Sequence, residues 1–355
     1  MSALLARARI AVGTGLRVAC LAALLSLSPP AYAADDKPIP MPIGASFAPD
    51  SPVLGAAQKR LVNLINTLSN GSINARLLEA GDPVPPRQFL EAVGNGSLDA
   101  AFTSSQQWFA RDPAFSLFAA VPFGPAANEY LAWMNFGGGE RLFKELYARY
   151  NIEAFVCGMT APMAGAWFVT PVPDLASLKG KRVRSSGLGA MVLKRVGVAT
   201  RSVDVTDLVQ ALRLNTLDGT EASWPAFDEP LEIDSVARHY YFPGWQQQSA
   251  LNHLLVSKAR WESLNKNQRA IVQAACQTQL LQENAESEAV QAAAMARLAS
   301  RKIDIQEWPP EVMAALDKAW QEIAGELAAA SPEFKKIWSS QQAFRVLQRH
   351  WRENA

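Results

Sequence analysis

The spacing of apolar residues changes period repeatedly along this chain. Pro42 to Phe47 reads as an opening strand, and Ser51-Pro52 leads into a helix from about Val53 to Ser69. Ile73 to Leu78 alternates like a strand, Gly81 to Pro86 is a proline-rich loop, Arg87 to Val93 is helical, and Leu98 to Thr103 is a strand. Leu117 to Phe123 is apolar. A helical stretch from Glu129 to Phe136 breaks at Gly137-Gly138-Gly139 and resumes through Tyr147. Strands then follow at Ile152 to Cys157, Gly165 to Thr170 and Lys181 to Ser185, the last preceded by a turn over Leu175 to Gly180. Helices are predicted over Leu188 to Val196 and Val205 to Leu212, and strands over Tyr240 to Phe242 and Ala250 to Ser257. After Trp261 the character shifts. From Asn265 to about Arg301 Gly and Pro all but vanish, and Ala, Gln and Glu dominate. This predicts a long helix, about 50 Å if unbroken. Pro309-Pro310 interrupts it, and two further helices follow.

One unit occurs twice. Ala92-Val93, four residues, Leu98-Asp99-Ala100 is echoed 119 residues later by Ala211-Leu212, four residues, Leu217-Asp218-Gly219. Each copy reads as a helix end, a polar turn and the start of a short strand. Two such units about a domain apart predict two α/β lobes of similar build. Ligands of open α/β sheets bind outside the carboxyl ends of the strands, so facing lobes would form a cleft.

The first 33 residues read as a secretory signal peptide. Arg7, Arg9 and Arg17 form the basic region, Val18 to Leu27 the apolar core, and Ala31-Tyr32-Ala33 a small-x-small cleavage site that places the cut after Ala33. Cys20 invites a lipoprotein reading, but Arg17 sits just before it and most of the apolar core lies after it. The exported destination expected is the periplasm. Removing 33 of 355 residues leaves 322, enough for two domains. With three Arg and no acid in the leader, 34 basic and 33 acidic residues become 31 and 33, a net charge of −2. No basic excess points to nucleic acid. No later apolar run reaches the roughly 18 residues that span a bilayer. Cys157 and Cys276 remain, compatible with a disulfide or with two buried free thiols.

Catalytic constellations are not found. His239, His253 and His350 are scattered without metal-ligand spacing, and neither a Gly-x-Ser-x-Gly elbow nor a phosphate loop is present. Ser185-Ser186-Gly187 follows a strand, but nothing nearby in sequence supplies a base. An exported two-lobed chain of this kind is expected to bind rather than to catalyse. In Lys181-Arg182-Val183-Arg184 a strand sets Arg182 and Arg184 on one face. That face is either a solvated basic edge or an anion site, since the guanidinium fork matches a carboxylate.

Several stretches resemble the DctP-type solute-binding proteins of tripartite ATP-independent periplasmic (TRAP) transporters. They are Leu178-Lys179-Gly180-Lys181-Arg182-Val183-Arg184, Val196-Gly197, and Leu217-Asp218-Gly219-Thr220-Glu221. Asp112-Pro113-Ala114-Phe115, Val121-Pro122-Phe123-Gly124, Gly137-Gly138-Gly139-Glu140, Trp167-Phe168 and Tyr240-Tyr241-Phe242-Pro243-Gly244-Trp245 resemble the branch that binds 2-oxo acids and related monocarboxylates. The resemblance covers essentially the whole mature chain. It implies an α/β, two-lobed, type II-like periplasmic binding protein with a long lobe-spanning helix and a helical C-terminal tail. The lobes are expected at 34–155 with a return over about 241–280, and at 156–240 with a return over about 281–325; the tail is 326–355. The resemblance also implies closure on a small organic acid and delivery to membrane subunits, with Arg184 pairing the ligand carboxylate and Trp167 and Phe168 lining the cleft. Trp108, Trp224 and Trp245 are read as apolar walls or as core.

The departures from that branch matter as much. There a metal ion bridges ligand and protein; at its three ligand positions this chain has Met163, Glu221-Ala222 and Gln247. One carboxylate remains where hard cations want several oxygens, so no tightly bound metal and no cofactor are expected. A tyrosine pair facing the ligand is replaced by Gln106-Gln107. Glu221 then meets a ligand hydroxyl or ammonium, or pairs with a basic neighbour; a ligand contact is the expectation. Two rivals share the scaffold, a sensory component serving a membrane receptor and an exported enzyme. The helix-rich stretch from Pro310 to Trp351, with Leu316, Trp320, Ile323, Leu327, Phe334, Ile337 and Trp338, is compatible with packing on its own lobes or with a homodimer through the helical tail.

Overall fold

The computed structural model describes residues 37–352 and 354; the leader and its cleavage site lie outside the described residues. Two mixed sheets organise the chain. The first holds β1 (Ile39–Ala45), β2 (Ile73–Ala80), β3 (Ala100–Thr103), β4 (Ile152–Thr160) and β10 (Ala250–Ser257), in the order β2-β1-β3-β10-β4. The second holds β5 (Ala166–Phe168), β6 (Arg182–Arg184), β7 (Ala199–Arg201), β8 (Gly219–Thr220), β9 (His239–Phe242) and β11 (Asp304–Glu307), in the order β11-β9-β5-β8-β6-β7. In chain order the helices are α1 (Leu54–Leu68), α2 (Phe89–Gly94), α3 (Ala127–Phe136), α4 (Gly139–Ala148), α5 (Leu175–Leu178), α6 (Gly187–Arg195), α7 (Leu208–Arg213), α8 (Pro225–Asp228), α9 (Lys258–Ser263), α10 (Lys266–Ser300), α11 (Pro310–Ala330) and α12 (Pro332–Arg352).

The first sheet is covered on both faces, which is why β10 reads as a nearly continuous apolar run. Leu254 and Val256 face a core completed by Leu61 and Ile65 of α1 and Val272 and Ala275 of α10. Leu251 and Leu255 face the other core, with Phe143, Leu146 and Tyr147 of α4. His253 lies within this layer: its Nε2 meets the Phe118 carbonyl at 3.1 Å and its Nδ1 the Tyr147 hydroxyl at 3.3 Å. Burial lowers its pKa to about 3, so it is a neutral core residue.

The duplicated unit is a real structural repeat. In each copy a three-residue 3-10 turn (Pro86–Gln88, Val205–Asp207) runs into a six-residue helix, α2 or α7, and then into β3 or β8. Leu98 N donates to Ala92 O at 3.0 Å, and Leu217 N to Ala211 O at 3.2 Å. The hydroxyls of Ser97 and Thr216 donate to the same two carbonyls. Gly96 and Asn215 occupy the same left-handed position of the turn. The aspartates are structural: Asp99 pairs with Arg260, and Asp218 receives Arg182 through its backbone N, Nε and Nη2.

The chain passes between the sheets through 161–165, through 243–249 and along α10. Asn265 caps α10 in a reciprocal bond pair with Gln268, and 35 residues carry it about 52 Å. Its first half packs on α1 and β4, and its later part reaches α8. Cys157 of β4 and Cys276 of α10 form a disulfide, resolving the two readings of these cysteines. The stretch expected as a turn at Leu175–Gly180 opens as the short helix α5, because Asp174 and Ser177 form a capping box; Gly180 in the left-handed region then ends it. The Gly137 triplet does separate two helices, α3 and α4. In the tail Leu316, Trp320, Ile323, Phe334 and Ile337 are buried against the chain's own core, while Val346, Leu347 and Trp351 at the end of α12 stay exposed.

Candidate functional site

The two crossing strands of chain are tied to one another and to the segment after β8. Met163 N donates to Gln247 O at 3.1 Å and Ala164 N to Ser223 O at 2.9 Å. Gln246 Nε2 donates to the carbonyls of Ala164 at 2.7 Å and Gly165 at 3.1 Å. This knot fixes residues 221–224 and 245–247 beside the carboxyl ends of β6 and β8, where an open α/β sheet offers a ligand site.

Arg184 ends β6 and is half-buried. Its Nη1 donates to Glu221 O at 2.8 Å and its Nε to Val203 O at 3.3 Å. A guanidinium carries five N–H groups, so three are unclaimed by these bonds. Among the described residues no carboxylate lies within ion-pair distance of it, whereas Arg182, two residues earlier, is fully engaged by Asp218. Burial depresses the Arg184 pKa, with the charges of Glu221, Asp228 and Asp204 acting against the shift. Two main-chain carbonyls therefore hold in place a cation that has no direct ion-pair partner among the described residues.

Glu221 lies one residue past β8, on the strand paired with Arg184, and its backbone N donates to Arg184 O at 2.9 Å. The carboxyl is buried. The Ser185 hydroxyl donates to Oε2, and Oε1 has no partner in the protein. Burial pushes this carboxyl up to about 7, with the Ser185 bond and the Arg184 charge opposing the shift. Sequence reading found no base near Ser185, because its partner lies 36 positions away and only the β6–β8 pairing joins them. Buried polar atoms without partners recur around this point: Trp224 Nε1, Trp245 Nε1, Gln246 Oε1 and Thr220 Oγ1. Native proteins leave few such atoms unpaired, and with Glu221 Oε1 these five belong to residues 220–224 and 245–246, next to the crossing segments.

The other expected residues separate into two groups. Gln106, in the 3-10 turn after β3, approaches the second sheet: a Cβ placed on Gly187 at the start of α6 would lie 3.2 Å from its Nε2. Gln107 beside it is exposed. Gln247 is buried with Nε2 on Thr160 Oγ1 at 3.4 Å, and Trp224 is buried with its indole N–H free. Trp108, Trp167 and Phe168 belong to cores. Trp108 packs edge-on against Phe115 and Tyr147 and donates to Arg87 O. Trp167 stacks on Tyr240 at 3.7 Å and donates to Asp228 Oδ2, which also accepts from the Tyr240 hydroxyl. Burial raises Asp228 to about 6, against the bonds from Trp167 and Tyr240. Phe168 packs edge-on against Tyr241 and Trp308. Gln246 and Ser185 were missed as candidates; the run Gln246-Gln247-Gln248 was the available signal for the first.

A recess of about 200 Å³ opens elsewhere, beside Cys276, lined by Leu131, Met134, Phe143, Phe155 and Leu280; it shares no residue with the set around Arg184. The donors at the junction do not fit a hard cation. Among the described residues no three His, Cys, Asp or Glu come together, and Glu221 is a single carboxylate where hard cations take several oxygens.

Two α/β lobes joined by crossing segments, with a pinned unpaired guanidinium at their junction, define a two-lobed ligand-binding protein. The chain belongs to the DctP family, bacterial extracellular solute-binding protein, family 7, which it matches over residues 43–331. This is a family of solute-binding proteins, not of enzymes. The chain is 30% identical over 278 residues to a monocarboxylate 2-oxoacid-binding periplasmic protein of Nostoc sp., covering 78% of this chain and 76% of that one. A TRAP transporter solute-binding protein of Bordetella bronchiseptica, solved as a mixed-occupancy dimer with calcium and picolinate in one site, superposes with a TM-score of 0.84 at 30% identity, covering 90% of this chain and 95% of the other. A TRAP periplasmic solute-binding protein of Pseudoalteromonas atlantica with bound sodium and pyruvate gives a TM-score of 0.84 at 27% identity, covering 90% and 97%. Among the described residues no helix is long and apolar enough to cross a membrane.

Proposed function

We propose that this protein is the periplasmic capture component of a TRAP transporter, exported by cleavage after Ala33, and that it delivers a small organic acid to the transporter's membrane subunits. The observation that carries this is Arg184: a half-buried guanidinium with three unclaimed N–H groups and no ion-pair partner among the described residues. A carboxylate supplies both the missing charge and the matching acceptors. Arg184 anchors that carboxylate; Glu221, Gln247, Trp224 and Gln106 read the rest of the molecule, and Gln107 meets solvent at the rim. Trp108, Trp167 and Phe168 act from behind, holding the strand ends in place. The lobes divide as 34–155 with about 241–280 and 156–240 with about 281–325. Ligand favours the closed arrangement because only there do Gln106 from one lobe and Arg184 from the other both contact it. The relatives that carry calcium or sodium support the organic-acid class, but the single carboxylate here argues for capture without a metal. The same reading includes a homodimer through the exposed end of α12, where Val346, Leu347 and Trp351 stay uncovered; the Bordetella relative was solved as a dimer.

The test is a thermal-shift screen of ligand-stripped mature protein against carboxylates, amino acids and neutral solutes, with and without EDTA. Saturation at 100 times Kd adds about 2.7 kcal/mol. A carboxyl-bearing ligand whose shift survives EDTA is the expected result. A response confined to solutes without a carboxyl group overturns the reading, and a shift abolished by EDTA overturns its metal-free form.

A further inference from the structure

The donor and acceptor balance at the junction says more about the ligand than the anchor alone. Arg184 and Glu221 lie on paired strands at the same sheet end, yet the guanidinium bonds the main-chain carbonyl of Glu221 and not its carboxylate. Among the described residues neither side chain has an ion-pair partner. Each side chain is held in place separately, Arg184 by two carbonyls and Glu221 by the Ser185 hydroxyl. The buried atoms without partners here are three donors, Trp224 Nε1, Trp245 Nε1 and the Thr220 hydroxyl, and two acceptors, Glu221 Oε1 and Gln246 Oε1, and both acceptors belong to the pair of side chains beside Gly189. The two side chains flank one glycine: a Cβ on Gly189 would lie 3.2 Å from Glu221 Oε2 and 3.4 Å from Gln246 Cβ. A 2-oxo acid can meet the donors but presents no donor to Glu221 Oε1 or Gln246 Oε1. A 2-hydroxy acid presents one neutral donor. A protonated amine presents three donors and the opposite charge.

We infer that Glu221, with Gln246, is the recognition site for an ammonium group carried by the same ligand that Arg184 holds by its carboxylate, so that the captured solute is a zwitterion of the 2-amino acid class. The inference rests on the reading of Arg184 as a carboxylate anchor. It makes Glu221 the residue that selects among acids sharing one carbon skeleton. It also accounts for the missing metal oxygens: the positive charge facing Glu221 arrives with the ligand.

The experiment is calorimetric titration of ligand-stripped protein, at one pH near neutrality, with matched trios. Each trio holds a 2-amino, a 2-hydroxy and a 2-oxo acid on the same skeleton, and the skeletons run from methyl through branched and aromatic to carboxylate side chains. In the best-fitting trio the amino member is expected to bind about 30-fold tighter than its oxo and hydroxy partners, as a charged hydrogen bond to a buried carboxylate implies. Glu221→Gln, close to isosteric, is expected to retain carboxylate binding and bring the trio within about threefold of parity. Gln246→Leu, which removes the second acceptor and with it the Nε2 bonds to Ala164 and Gly165, is expected to narrow the preference if Glu221→Gln folds poorly; the ligand-free melting curve of each variant reports folding. An oxo or hydroxy member that binds as tightly as the amino member overturns the inference and leaves the carboxylate anchor standing. If no trio binds while solutes without a carboxyl do, the anchor falls too.

Discussion

The disulfide between Cys157 and Cys276 allows the sharpest prediction about stability. It joins the C-terminal half of β4, the edge strand of the first sheet, to the first third of α10, with both side chains buried, and it closes a loop of 119 residues. Closing a loop of that length removes about 16 cal/mol/K of entropy from the unfolded chain, or about 5 kcal/mol at 25 °C. The 322 residues that the proposed cleavage leaves unfold with an entropy of about 0.7 kcal/mol/K near 60 °C, so loss of the bond lowers Tm by about 7 °C. The assay compares oxidised protein, protein reduced with a non-thiol reductant, and a Cys157→Ala/Cys276→Ala double variant in guanidinium and thermal melts. The denaturant slope should rise when the bond is absent, because the unfolded state then exposes more surface. Neither cysteine contacts Arg184, Glu221 or Gln246, so ligand affinity below the transition should not change. A Tm loss under about 2 °C, or titration of two free thiols in protein secreted to an oxidising compartment, refutes the argument.

Two further predictions concern the buried charges. Arg184→Ala should weaken carboxylate binding at least about 30-fold, and Arg184→Lys should recover only part of it because an ammonium lacks the planar fork; unchanged affinity in a folded variant removes the anchor. Glu283, on α10, accepts from Asn252 at 2.6 Å and Gln279 at 3.2 Å, and burial pushes its carboxyl up to about 8. A carboxyl raised in the folded state favours folding below the unfolded pKa, near 4.5, and that advantage is lost as pH rises towards 8. His253, lowered to about 3, acts in the opposite sense only below about 6.5. Between pH 6.5 and 8 ligand-free protein should therefore lose stability, with Glu283 contributing up to about 2 kcal/mol, and Glu283→Gln should flatten the curve. Denaturant midpoints at both pH values check this, and parallel curves for the two proteins count against it.

Local patterning carried much of the fold. The capped, glycine-free run after Asn265 specified α10, since helix propensity and a capping box act within a few residues. The echo of Ala92–Ala100 at Ala211–Gly219 reported a repeated set of bonds made inside one helix-turn-strand unit. The short strands β7, β8 and β11 were less legible. β8 is two residues long, and its glycine is needed because a side chain there would meet the Phe168 ring at 2.5 Å, a neighbour 51 residues away in sequence. Trp167 and Trp108 show the same limit: an aromatic beside a strand end has one signature whether it faces a ligand or a core, and only the Tyr240 stack and the Phe115 packing assign them to cores.

Local patterning supplied most of the longer elements and Arg184 as an anion candidate, and the order and spacing of many segments along the chain supplied the two-lobed α/β class and the family. Tertiary structure alone decided which charges stay unpaired. Arg182 and Arg184 are equivalent in strand pattern, but the first meets Asp218 and the second meets only carbonyls. Ser185 found its carboxylate, Cys157 its partner, and Gln246 its place beside Glu221 through contacts across 36, 119 and 25 residues. Charge compensation depends on distance in space, and no local pattern encodes which of two like residues will be left without a counter-ion.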